Sequence, residues 1–180
     1  MTPSPPAKTK RLHLLDTADV AALYDRPLFT DEERAPYFTP VPMELTLMQT
    51  FSDPAIQAFF VLQVGYFKAK QRFFTVALAD VRADLLFISA QLDLGLEPDN
   101  VRLMGKRTLL TQRTLILERF GYRRPQAADR AQALQVALQA ARVSPKPQYL
   151  LRMTLQHFTA QQLHACIRTY PGTRPSPHPR

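Results

Sequence analysis

The sequence predicts an all-α protein: a helical bundle of two small helical units, the second a trihelical unit of helix-turn-helix type. Three observations predict it. Apolar residues recur three and four positions apart along almost the whole chain. No run alternates polar and apolar residues for long enough to be read as a strand. Helix start and stop signals such as "FTDEER", "SDP" and "RFGYRRP" fall where the periodic segments begin and end. A hydrophobic fraction of 46% over 180 residues is enough for a packed core.

The expected units are 12–95, an N-terminal helical unit, and 101–165, a basic trihelical unit. The tails 1–11 and 168–180 are Pro-rich and charged, which predicts disorder. Segment 16–24 reads as a short helix that Pro27 ends. Thr30 is an N-cap, and Glu33 three residues on completes a capping box. Asp31, Glu32 and Glu33 are then acids opposing a helix dipole rather than catalytic carboxylates. Pro40 and Pro42 break the chain before a helix near 43–51.

Asp53 and Pro54 launch the most apolar helix. Ile56, Phe60, Val64, Phe67 and Phe74 form one stripe, and Phe59, Leu62, Tyr66 and Phe73 another, so the helix belongs in the middle of a bundle. Gly65 costs a helix about 1 kcal/mol against Ala, which predicts a close approach by another backbone there. Lys68, Lys70 and Arg72 end this helix. Either they offset its C-terminal dipole or they meet a phosphate backbone where it leaves the core. A helix follows over 79–92, buried along Val81, Leu85, Ile88 and Leu92, while Asp80, Asp84, Asp93 and Glu97 read as scattered surface acids. The turn-rich stretch 92–100 is the best internal boundary.

Three helices are expected after it, over 106–120, 127–142 and 147–163. Gly121 caps the first. Its buried arc is Leu109, Leu110, Ile116, Leu117 and Phe120, and its open side holds Arg107, Thr111, Thr114, Glu118 and Arg119. Arg113 falls inside the apolar arc. Either it snorkels or pairs with an acid of the first unit, or it lines a DNA-facing seam between helices. Arg123, Arg124, Lys146 and Arg152 sit at or near the helix joints, with Lys106 at the start of the first helix.

Charge divides the chain. Residues 1–100 hold 9 basic and 13 acidic side chains, whereas residues 101–180 hold 14 basic ones against only Glu118 and Asp129. Such a cationic half points to a polyanionic partner, most often nucleic acid, the alternative being a merely solvated surface. Other chemistry finds little footing. His157, His164 and Cys166 fit no zinc spacing, the five dispersed glycines make no phosphate loop, and no nucleophile elbow occurs. No cofactor, metal or catalytic residue is expected. The single Cys166 suits a reducing compartment, and the apolar run 55–67 is too short for the ~20 residues a membrane span needs. A cytoplasmic protein is expected, nucleoid-associated when bound to DNA.

Four strings carry a family resemblance: "LYDRPLFTDEERAPYF", "FFVLQVGYFKAKQRFF", "RTLILERFGY" and "AARVSPKPQYLLRMTLQHF". Over roughly 14–158 the chain resembles the N-terminal region of the transposases of Tn-three-type replicative transposons. The resemblance implies a helical region that binds the element's terminal inverted repeats. It makes Lys68, Lys70, Arg72 and the basic 102–124 segment candidate contacts to double-stranded DNA, with a second copy of the chain or a full-length transposase as a possible protein partner. In that family three catalytic acids binding two metal ions lie in a C-terminal domain that nothing here matches. After about Leu163 the sequence leaves the family pattern, and its ending reads as a truncated or frameshifted frame. The expectation is a DNA-binding fragment without catalytic activity of its own, the alternative a helical interaction module with only nonspecific affinity for DNA.

Overall fold

A computed structural model describes residues 18, 21, 25–97 and 101–164. The predicted tails and most of the 16–24 segment lie outside the described residues. Among these residues there are seven helices and no strand: α1 (Asp31–Phe38), α2 (Pro42–Met48), α3 (Pro54–Lys70), α4 (Leu78–Gln91), α5 (Lys106–Arg119), α6 (Ala127–Val143) and α7 (Pro147–Ala160).

Local chemistry sets the boundaries. Thr30 Oγ1 accepts from the Glu33 amide at 3.3 Å, and Glu33 Oε2 accepts from the Thr30 amide at 2.9 Å, completing the capping box of α1. Asp53 caps α3 by accepting from Ala55 N at 2.7 Å, with Pro54 in the first turn. The starts of α1, α3 and α7 thus follow the sequence signals. Helix α2 is shorter than expected, ending at Met48 rather than 51.

Helix α3 is the axis of the molecule, with α1, α2, α4 and α5 packed around it. Its residues Phe59, Phe60, Leu62, Val64, Tyr66 and Phe67 are buried, joined by Phe38, Val81, Leu85, Ile88 and Ile116. A Cβ on Gly65 would stand 2.4 Å from the Phe38 ring and 3.0 Å from the Tyr37 carbonyl oxygen. The close approach expected at this glycine is made by α1, through both a ring and a backbone oxygen.

Two buried polar clusters hold α3 to its neighbours. Asp84, 3% exposed, accepts from Arg34 Nε at 2.8 Å and from the Tyr66 hydroxyl at 2.6 Å, linking α4, α1 and α3. It is therefore not a surface acid. Position 84 lies one turn from both Val81 and Ile88, so it shares their inward face. Glu44 on α2 is also buried and accepts from Lys68 Nζ at 2.8 Å and from the Val41 amide at 3.1 Å.

Helix α5 joins this same core. Its buried residues are Gln112 and Ile116, and Leu110, expected inside, is exposed. Gln112 donates to the Ile56 carbonyl at 2.8 Å and accepts from Gln63 Nε2, so an amide rather than a leucine registers α5 on α3. Helices α6 and α7 pair with each other, and Ala133 and Ala140, seven residues apart, are the buried residues of α6. Small side chains at that spacing let the two backbones approach closely.

Candidate nucleic-acid interface

The C-terminal ends of α3, α5 and α7 meet. At the end of α3, Gln71 is left-handed (φ 49°) and its amide donates to the Phe67 carbonyl at 2.7 Å, so the chain doubles back through Arg72, Phe73 and Phe74. Helix α5 ends in a Schellman motif: Gly121 (φ 70°) donates to the Glu118 carbonyl at 3.1 Å and Tyr122 to that of Leu117 at 2.8 Å. Helix α7 ends the same way, with Gln162 (φ 50°) donating to the Thr159 carbonyl at 3.0 Å and Leu163 to that of Phe158 at 2.8 Å.

These ends are tied together. Arg123 N donates to the Gln162 carbonyl at 3.0 Å and His164 N to the Arg123 carbonyl at 2.9 Å, a parallel bridge joining the segment after α5 to the segment after α7. Aromatic rings fill the joint, with Phe67 5.1 Å from Phe73, 5.3 Å from Phe120 and 5.1 Å from Tyr122, centroid to centroid. The His164 ring lies 5.3 Å from Phe73, and the Arg113 guanidinium lies over the same Phe73 ring at 5.0 Å.

Arg113 and His164 thus share the Phe73 ring. The His164 imidazole is held below the ordinary histidine range, first by burial and then by the charges of Arg113, Arg124 and Arg72. No local sequence pattern foretells the seating of His164 against Phe73.

The other predicted contact residues divide into two sets. Several serve the fold. Lys68, 20% exposed, is committed to Glu44. Lys70 donates to the Asp25 carbonyl at 2.9 Å. Arg113 turns inward, donating to the Phe74 carbonyl at 3.2 Å and to Gln63 Oε1 at 3.4 Å, so it packs against α3 and the segment that follows it. Arg119 lies over the Phe120 ring at 5.5 Å, its Nε buried without a hydrogen-bond partner. Arg123 grips Asp129 through two bonds of 2.6 and 2.7 Å. That pairing, with the Gln126 amide, holds the Asp129 carboxyl down at about 2.

Lys106, Arg107, Arg124, Lys146 and Arg152 are exposed, as are Arg102, Arg130 and Arg142, which were not singled out. On the outer face of α5, Arg107 is followed by Leu110, Thr111 and Thr114 at helical spacing, all exposed. The first turn of α5 holds no acid, so its positive dipole end adds to Lys106 and Arg107.

Residues 14–165 match a family model described as a domain of unknown function, DUF4158. The chain belongs to the DUF4158 family. The match covers α1 to α7, and so both the aromatic core and the cationic surface of this DUF4158 chain. No curated protein and no solved structure matches it. Among its described residues no helix is long and apolar enough to cross a membrane.

Proposed function

We propose that this DUF4158 chain is the DNA-binding part of a transposase, recognising duplex DNA at the terminal inverted repeats and leaving strand transfer to the acid-bearing domain of such enzymes. One observation carries the reading: residues 101–164 hold 11 Lys and Arg against 2 acids, and Arg123 already consumes Asp129. Besides Arg123, eight of these cations are exposed, Arg102, Lys106, Arg107, Arg124, Arg130, Arg142, Lys146 and Arg152, as phosphate contacts need. The four strings that resemble transposase N-terminal regions supply the identity of the duplex. Gel-shift titration at matched, moderate salt tests it. Terminal-repeat duplex should bind at least about tenfold better than a scrambled duplex, within the usual span of specific over nonspecific affinity. Equal binding to both removes the sequence-specific part.

A second reading has its own support. Leu134 and Leu138, 58% and 51% exposed, stand one turn apart on α6. An apolar patch on so cationic a hairpin suits a helical interaction module with only nonspecific DNA affinity. The aromatic face of α3 is not available for that role, because the chain's own core takes it up. This reading predicts no discrete shifted complex at moderate salt.

A further inference from the structure

We infer that the outward face of α6 is a docking site for an acidic amphipathic helix of a partner protein. The inference gives the apolar patch of the second reading its occupant, and it stands whether or not the chain also binds duplex DNA. Arg130, Leu134, Leu138 and Arg142 follow one another at intervals of four residues, and all four are exposed. That spacing makes them a single ridge on α6, about 18 Å from the first arginine to the last. The ridge is apolar in the middle and cationic at both ends.

Its flank is small. Ala127 and Ala131 stand beside the ridge, one turn apart and exposed. The other side of α6 shows what such alanines allow, since Ala133 and Ala140 are its buried residues and α6 pairs there with α7. Alanines on the outward flank leave similar room for a further helix to lie along the ridge.

Charge selects the occupant. Neither the Arg130 nor the Arg142 side chain has a partner among the described residues. The single acid of α6, Asp129, is held by Arg123 at 2.6 and 2.7 Å, and α7 contains no acid. The same face of a second copy would bring four guanidinium groups together with no acid between them, which opposes self-pairing. Phosphates would satisfy the arginines, but the leucine pair between them calls for an apolar surface. A helix with Asp or Glu one turn before and one turn after a pair of apolar residues matches the ridge end for end. Its carboxylates accept from both arginines while its apolar pair covers Leu134 and Leu138. The apolar centre then supplies affinity, and the charged ends set partner and register.

The test uses the full chain and a stapled helical peptide: two leucines one turn apart, a Glu one turn beyond each, in an Ala- and Gln-rich background. Leu134 and Leu138 methyl NMR signals should shift saturably as this peptide is added. Leu134→Gln with Leu138→Gln should weaken binding at least ~tenfold, as loss of a central anchor does. Arg130→Glu with Arg142→Glu should weaken it similarly, and a peptide with Lys in place of both Glu should restore it. These positions are exposed, and circular dichroism should show unchanged helix content in both variants. No saturable shift at millimolar peptide, or no restoration by the Lys peptide, overturns the inference. Methyl shifts that follow chain concentration without peptide assign the face to a second copy and overturn it. Shifts saturated by duplex DNA that the peptide cannot displace assign the face to DNA and overturn it as well. The terminal-repeat gel shift reads the DNA-binding proposal separately: its failure with the peptide bound removes that proposal alone.

Discussion

Replacing Asp84 by Ala should be among the most damaging single changes in the protein. Its two carboxylate oxygens hold Arg34 at 2.8 Å and the Tyr66 hydroxyl at 2.6 Å. Arg34 also pairs with Asp31, but Asp31 is 98% exposed, so that pair offers little compensation. Removing Asp84 leaves a guanidinium that is 14% exposed without its interior partner, and a buried phenol without its acceptor. Breaking a buried ion pair from one side costs about 3–5 kcal/mol, and stranding a hydroxyl about 1–3. The two losses overlap, so about 4 kcal/mol is expected. Urea unfolding followed by helical circular dichroism at constant pH reads this directly. With a slope of about 2 kcal/mol/M the midpoint should fall by roughly 2 M. Asp84→Asn, which keeps the volume and one acceptor, should lose about half as much. Adding Arg34→Met to Asp84→Ala should recover part of the loss. A cost below about 1 kcal/mol for Asp84→Ala would refute the buried network as the link between α1, α3 and α4.

Gly65→Ala should destabilise the chain by about 1–2 kcal/mol despite better helix propensity, because the added Cβ would overlap the Phe38 ring, which is packed against Phe29 and Tyr66 and cannot swing away; chemical denaturation checks it. Asp129 has a folded pKa lowered from an ordinary 3.8 to about 2, so its stabilising contribution is present above 3.8 and lost as pH falls towards 2. Asp129→Asn should flatten that part of the acid unfolding profile. Lys68→Met should change stability but leave the salt dependence of DNA binding intact, whereas Arg107→Ala should reduce the salt slope by about one. Equal effects of these two variants on the slope would contradict the division between structural and exposed cations.

Much of the fold was legible because its signals are local. Thr30 with Glu33, Asp53 with Pro54, and Gly121 mark helix ends through contacts within a few residues. Gly65 revealed a close approach because glycine inside a helix is costly unless something fills its place. What stayed hidden was polar or distant. Gln112 sits where hydrophobic periodicity looks for leucine, and its role depends on the Ile56 carbonyl 56 residues away. Asp84 was readable in principle, since it shares the face of Val81, Leu85 and Ile88, but its partners Arg34 and Tyr66 come from two other helices. Lys68 and Arg123 looked like surface cations because the buried Glu44 and the nearby Asp129 that claim them carry no sequence mark of their own. The meeting of Arg113 and His164 on the Phe73 ring depends on how the helix ends pack, which no spacing rule encodes.

The most direct test of the central claim is the equilibrium affinity of the chain for terminal-repeat and scrambled duplexes as a function of salt. Under the proposed function the exposed Arg102, Lys106, Arg107, Arg124, Lys146 and Arg152 would meet phosphates, and about six such contacts give a log–log slope near −5. The account predicts that slope together with at least a ~tenfold preference for the terminal repeat. A slope of about −1 with equal affinity for both duplexes would contradict it.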